Sequence, residues 1–205
     1  MKLFLASTSP RRQQLLREIG FEFDILRPDT DEVEERGESP RKMVERFATE
    51  KALAALEKAK FAGHLTGVLI SADTTVVSPD RKRVLNKPVD AEAAKKMLRT
   101  ISGKTHEVLT GYVICAFSAG KISKWHAEIV STKVSIRKLA TKEIADYVSS
   151  GEPMDKAGAY AAQGIGMCLI EGIRGSYSNV VGLPMAELVR DLERRFLIVP
   201  GWKRK

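Results

Sequence analysis

Lys2-Leu3-Phe4-Leu5-Ala6 runs directly into Ser7-Thr8-Ser9-Pro10-Arg11-Arg12, with Leu15, Leu16 and Ile19 close behind. The first stretch reads as a buried strand. Ser9 suits a helix N-cap, Pro10 suits the first helical position, and the apolar residues beyond recur at helical spacing. The passage is therefore a strand, a tight turn and a helix that starts near residue 10. Free amides at such a start point back toward the strand and the macrodipole makes that end positive, so Arg11 and Arg12 in the first turn call for an anion. An ordinary capped helix with solvated arginines would have the same local sequence, and the rest of the chain has to decide between the two.

Outward from this unit, short apolar runs alternate with helical patterns, which predicts an α/β protein with a mixed sheet and no internal repeat. A second helix is expected from Ser39, with Pro40 at its first position, to about Lys60, because Met43, Val44, Phe47, Ala48 and Ala55 share one face. Lys51 falls in the middle of that face, either snorkelling past the core or reaching a buried anion. Val68-Leu69-Ile70 is a strand that ends at Ser71-Ala72-Asp73-Thr74-Thr75, and ligands in α/β sheets sit beyond the carboxyl ends of strands. Asp90 caps a helix that runs through Ile101 and stops at Gly103. Residues 105 to 118 and 125 to 138 read as strands joined by a hairpin at Ser118-Ala119-Gly120. A helix from Thr141 to Val148, a strand near Met167 to Ile170, a loop at Gly175 to Asn179 and an amphipathic helix from about Pro184 to Arg195 complete the chain.

With 205 residues, 43% of them hydrophobic, the chain is long enough to bury a core without a metal or disulfide scaffold. Its two cysteines, Cys115 and Cys168, lie far apart with apolar neighbours and are expected to be buried thiols of a cytoplasmic protein. No stretch approaches the roughly 20 apolar residues of a membrane span, so no membrane partner is expected. The net charge of +8 is uneven, about half of it lying between Arg190 and Lys205 as a solvated helix face and a frayed end. Without an aromatic-rich basic stripe, it does not indicate nucleic-acid binding. Asp29, Asp31, Glu32, Glu34, Glu35 and Glu38 form an acidic run opposed only by Arg36, either a solvated loop or a place for a divalent cation.

Further polar positions carry chemistry only in combination. Lys87 precedes Pro88 and is held extended, and Lys156 opens a run of small residues up to Gln163-Gly164, where backbone can approach a ligand closely. These motifs occur together and in order: Ser7-Thr8-Ser9-Pro10-Arg11-Arg12, Asp31-Glu32, Glu50-Lys51-Ala52, Ala72-Asp73-Thr74, Lys87-Pro88, Ser102-Gly103-Lys104-Thr105-His106, Asp155 to Tyr160 with Gln163-Gly164, and Asn179 to Pro184. In that order the chain resembles the Maf family of nucleoside triphosphate pyrophosphatases along nearly its whole length. The resemblance implies one domain, 1–205, with an α/β fold: a mixed twisted sheet flanked by helices, two lobes around a deep nucleotide-binding cleft.

It also implies hydrolysis of a nucleoside triphosphate to monophosphate and pyrophosphate, a divalent cation (Mg2+ or Mn2+), a homodimer, and Asp73 as catalytic proton acceptor. Ser7, Arg11, Arg12, Lys51, Lys87 and Lys156 take phosphate-binding positions, and Glu32 and Asp73 are the acids suited to the metal. An aspartate is a weak base at neutral pH unless a metal also acidifies the water, so base and metal ligand stay open alternatives for Asp73. Arg11, Thr74 and Gln163 stand where the subfamilies differ and match the branch that acts on dTTP and UTP. The 7-methyl-GTP branch carries an aromatic, a glutamine and a glutamate there. The Gln163 amide offers a donor and an acceptor to the imide edge of a pyrimidine. Asn86 stands where the family usually has glycine; asparagine can adopt positive φ at modest cost, so the loop is expected to survive. Another base preference, or a non-enzymatic role in septum formation, is the alternative.

Overall fold

The computed structural model describes residues 1–64 and 66–203. Strand β1 (Leu3–Ala6), helix α1 (Pro10–Glu18) and the two-residue strand β2 (Asp24–Ile25) come first, followed by the long helix α2 (Pro40–Phe61) and strand β3 (Thr66–Val77). Then come β4 (Val84–Leu85), α3 (Ala91–Ile101), β5 (Thr105–Ser118), β6 (Lys121–Ile136) and α4 (Thr141–Ser149), with β7 (Ile170–Arg174), α5 (Tyr177–Val181) and α6 (Met185–Phe196) last. One sheet has the order β2-β1-β3-β5-β6-β7, with β4 paired to β3. β1 runs parallel to β2 and β3, whereas β4 and β7 join antiparallel, so the sheet is mixed and helix-flanked, as expected. No described helix is long and apolar enough to cross a membrane.

The chain forms two compact units. The first comprises Met1–Asp73, Thr110–Val130 and Gly182–Lys205; the second comprises Thr74–Leu109 and Ser131–Val181. In the first unit α2 lays Ala48, Ala52, Ala55 and Ala59 against Phe4, Leu69, Val113 and Phe117. Small side chains on that face let the helix sit close to the strands. Gly111, in mid-strand on β5, lets it come closer still: a Cβ there would lie 2.5 Å from the Val44 carbonyl oxygen and 2.8 Å from its carbon. Glycine in a strand interior marks such a close backbone approach. The second unit has its own core of Leu98, Ile101, Val108, Val134, Ile144, Tyr147 and Tyr160.

Several local expectations need correction. Asp73 does not end its strand, because β3 continues to Val77; what ends is β1, whose last paired residue, Ala6, faces Ser71. Asp73 therefore stands two residues past the end of the neighbouring strand. The Ser9 hydroxyl makes no cap bond; the Ser9 N–H instead donates to Ser7 Oγ at 3.2 Å. β6 starts at Lys121 because Ala119 and Gly120, both at positive φ, make a two-residue hairpin turn. The strand expected at Met167 begins at Ile170 after a 3-10 turn, and the loop expected at Gly175 contains α5. Cys115 is buried but Cys168 is exposed, and the two are unbridged. Asn86 is not among the described residues with positive φ, so the Asn86-Lys87-Pro88 bend needs no glycine. Of the basic C-terminal stretch, Arg204 and Lys205 lie outside the described residues.

Gly111→Ala is expected to force α2 off the sheet, a small-to-large change against backbone that costs about 1–3 kcal/mol. A thermal melt should then show Tm lowered by roughly 3–10 °C. An unchanged Tm would mean that α2 yields freely at Val44.

Candidate functional site

The first unit holds six of the expected residues, Ser7, Arg11, Arg12, Glu32, Lys51 and Asp73. Lys51 is carried into the core face of α2 by the same periodicity that buries Ala48, Ala52 and Ala55, and is 7% exposed. Its Nζ donates to Asp73 Oδ1 at 2.6 Å and lies 2.5 Å from Glu32 Oε1. Asp73 is buried as well, at 7%. Of the two sequence readings of Lys51, the structure takes the second: the ammonium meets anions instead of passing the core toward water. α2 and β3 are tied beside the pair by Ser71, whose hydroxyl donates to the Ala48 carbonyl at 2.6 Å.

Arg12 closes the other side. Its Nη1 donates to the Ala72 carbonyl at 2.7 Å and to Ser7 Oγ at 3.4 Å, and its Nε donates to the Gly182 carbonyl at 2.8 Å. Ala72 lies past the end of β1, where Arg12 replaces the missing strand as donor. Burial lowers the Arg12 pKa while the Asp73 and Glu32 carboxylates act in the opposite direction. Ser7 is buried and accepts from both Ser9 and Arg12. Arg11, half-buried, has no hydrogen-bonding or ionic partner among the described residues.

The acidic run from Asp29 to Glu38 is divided among cations of α2. Arg46 takes Glu38 at 2.6 Å and Glu35 at 3.5 Å, besides Glu50 of α2 at 3.1 Å, Lys58 takes Asp29 at 3.4 Å, and Glu32 reaches Lys51. The Arg46 bonds hold the Glu38 carboxyl below the usual range. Of the two expectations for this run, solvated loop or cation site, most of it is loop, and Glu32, itself exposed, reaches the buried Lys51–Asp73 pair.

Glu32 and Asp73 both direct an oxygen at one point of positive charge, now held by the Lys51 ammonium. An all-oxygen donor set fits Mg2+ or Mn2+ and would suit a thiophilic metal poorly. Another group of ligand-type atoms, His126, Glu128 and Asp191, lies within 4.8 Å of one another. Arg190 already bridges Glu128 and Asp191 at 2.8 and 3.2 Å, and Tyr112 donates to Asp191 at 2.5 Å. With Arg195 Nε 3.5 Å from Asp191, two arginines face the two carboxylates, and the cluster calls for no further cation.

Thr74, Lys87, Lys156 and Gln163 belong to the second unit. Lys87 is exposed and, among the described residues, unpartnered. Lys156 is half-buried and pairs with its neighbour Asp155. Gln163 is half-buried with an extended backbone, φ −115° and ψ 166°, and its amide meets no partner among the described residues. Two contacts here escape sequence reading: Glu152 accepts from the amides of Ile165 and Gly166, and His106 Nε2 meets the Tyr160 hydroxyl at 2.8 Å. Burial pushes the His106 pKa down to about 4, so its ring is neutral. Only the ordered Ser102 to His106 motif pointed toward His106; nothing local pointed toward Glu152.

A family model described as Maf-like protein matches residues 2–195. A protein of Shewanella sp. (strain MR-7) named dTTP/UTP pyrophosphatase is 46% identical over 192 residues, covering 91% of this chain and 94% of its own length. One of Anaeromyxobacter dehalogenans (strain 2CP-C) with the same name is 45% identical, covering 97% of this chain and 96% of its own. Among solved structures, a nucleoside-triphosphatase / dITP/XTP pyrophosphatase from Mycobacterium abscessus is similar at a TM-score of 0.44 and 18% identity, covering 96% of each chain. The chain belongs to the Maf family.

Removing the ammonium alone should strand a buried carboxylate. Lys51→Met is expected to destabilise the protein by about 2–4 kcal/mol in urea titrations, and adding Asp73→Asn should restore much of the loss. Strictly additive effects of the two changes would show that the pair is not coupled.

Proposed function

We propose that this member of the Maf family hydrolyses dTTP and UTP to the nucleoside monophosphate and pyrophosphate, clearing the nucleotide pool. The observation that supports it most is the buried Lys51–Asp73 pair set just past the end of β1, with the exposed Glu32 against its ammonium and Arg12 of α1 bound to the neighbouring Ala72 carbonyl. The names of the relatives that are 45–46% identical point to the same substrates.

In the proposed reaction, water oxygen bonds to the α-phosphorus, the α–β bridging P–O bond breaks, and pyrophosphate departs with the electron pair. Asp73 is the residue proposed to receive the water's proton or to hold the cation that makes that proton easier to lose. What Mg2+ or Mn2+ supplies when bound by Glu32 and Asp73 is neutralisation of phosphate charge and a more acidic water. Arg11 and Lys51 meet the triphosphate with charge. Arg12, whose Nε and Nη1 are bound to carbonyls, works mainly by fixing α1 and Ser7 against Ala72 and adds a fixed positive field. Lys87 and Lys156 are further proposed phosphate contacts. Lys51 leaving Asp73 for a phosphate oxygen would free the carboxylate at the moment it is needed.

Gln163 is the proposed reader of the base, since an amide pairs with both the donor and the acceptor of a uracil or thymine imide edge. Thr74 and Arg11 complete the proposed selection. Residues 1–205 act as one domain in this proposal, in a cytoplasmic homodimer.

Incubation with a panel of triphosphates and Mg2+ should release pyrophosphate fastest from dTTP and UTP, and Asp73→Asn should lower kcat at least about 30-fold, equivalent to ~2 kcal/mol or more of barrier. A variant that keeps wild-type turnover removes Asp73 from the chemistry. Gln163→Glu combined with Thr74→Gln and Arg11→Trp should shift kcat/KM from dTTP toward 7-methyl-GTP by roughly tenfold, because a carboxylate lacks the amide donor that a pyrimidine carbonyl accepts. Competition between the two triphosphates reads this directly. An unmoved ratio places base selection at other residues.

A further inference from the structure

From Glu152 to Leu169 the second unit is built of three short 3-10 turns, Glu152–Asp155, Ala157–Ala159 and Gly164–Leu169, in place of strand or α-helix. Such backbone has few ladder bonds to fix it, and side chains have taken over that task. One oxygen of Glu152, Oε2, accepts from the N–H of Ile165 at 2.9 Å and from that of Gly166 at 3.2 Å. The residues so joined are 13 and 14 apart, which turns the segment into a closed ring. Lys156 and Gln163 both lie inside it.

The ring is made for this closure. Gly151 at φ +77° and the Ser150 hydroxyl, which accepts the Glu152 N–H at 3.3 Å, set the direction in which Glu152 leaves α4. Opposite it, Gly164 at φ +70° leaves room for the carboxylate: a Cβ there would come within 2.5 Å of Glu152 Oε1. Within the ring, the Tyr147 hydroxyl accepts from the Ala161 N–H at 3.2 Å, and His106 holds Tyr160. Gln163 itself has no side-chain partner among the described residues, so its amide is aimed only by its backbone, and the nearest fixed point on the far side of that backbone is the Glu152 clip.

We propose that Glu152 is a positioning residue for nucleotide selection, its carboxylate closing the ring so that the Gln163 amide and the Lys156 ammonium stand at fixed places. This rests on the reading of Gln163 as the reader of the base. Glu152 touches no substrate in this scheme. Its influence passes through the Ile165 and Gly166 amides into the backbone, and a displacement of about 1 Å at a selecting group is enough to alter rates strongly.

The test compares kcat/KM for dTTP and for GTP in wild type, Glu152→Ala, Glu152→Gln and Gln163→Ala. Glu152→Ala should reduce the dTTP to GTP ratio on the order of tenfold, mainly through a higher KM for dTTP. Glu152→Gln should stay within about threefold of wild type, because one amide oxygen accepts both N–H groups. Should the alanine variant not fold, Glu152→Asp serves: it keeps the charge, shortens the reach, and is expected to lose the ratio. If the glutamate variants lower Tm and slow both substrates equally while Gln163→Ala loses the ratio, Glu152 is merely structural and the inference is overturned. A wild type without any preference for dTTP, or a Gln163→Ala variant that keeps it, overturns instead the reading of Gln163 on which the inference rests.

Discussion

A lysine ammonium leaves water at a cost of several kcal/mol unless negative charge follows it, and in this protein Lys51 has gone into the core face of α2 with Asp73 and Glu32 around it. Much of the first unit's architecture serves that encounter. The alanines of α2 and the glycine at 111 bring the helix down to van der Waals contact with the strands, so that the four-carbon stem of Lys51 is long enough to meet a carboxylate on β3. The Ser71 bond to the Ala48 carbonyl fixes the helix against slipping along the strand. β1 ends at Ala6, which leaves β3 without a partner on that edge at Asp73 and opens the space in which the three charges meet.

The shortened β1 creates a debt of its own, because a strand without its neighbour has unsatisfied carbonyls. Arg12 settles it. Its guanidinium reaches the Ala72 and Gly182 carbonyls together, which binds the start of α1, the middle of β3 and the approach to α6 at one point. A planar fork with its donors held apart suits this work better than the compact point charge of a lysine. The positive charge stays within the field of Asp73 and Glu32, so a residue with a structural task also shapes the electrostatics of the cluster.

Those features that rest on periodicity or on one-residue chemistry were legible in the sequence. Pro40 at the start of α2, Asp90 as the cap of α3 and the Ala119-Gly120 turn follow from φ preferences and local hydrogen bonds, and the structure has them. Lys51 on an apolar face was visible as an anomaly, though its partners were not. β2 and β4 were missed because two residues carry no period. Cys168 was misread for a related reason: the apolar neighbours that suggested burial, Met167 and Leu169, sit on a 3-10 turn, which exposes Met167 and Cys168 and buries only Leu169. The acidic run was legible as charge and illegible as pairing, since three cations spread along α2 divide it: Arg46 takes Glu35 and Glu38, Lys58 takes Asp29 and Lys51 takes Glu32. Glu152 left no mark, because a contact to amides 13 and 14 residues away involves no repeat and no side-chain type at the far end.

The two units place their polar residues on different kinds of support, and this bears on how they can vary. Asp73 and Lys51 stand on a strand and a helix within a packed core, where small displacements disturb many neighbours at once. Lys156 and Gln163 stand at extended positions between 3-10 turns fastened by Glu152, Tyr147 and His106, so a change of one fastening alters their position with little effect on the sheet. In the proposed function, chemistry common to all triphosphates falls on the first kind of support, because bond cleavage tolerates little error in geometry. The proposed discrimination among bases falls on the second, where a ring held by a few side-chain bonds can be re-aimed by substitution while the core that holds Lys51 against Asp73 stays as it is.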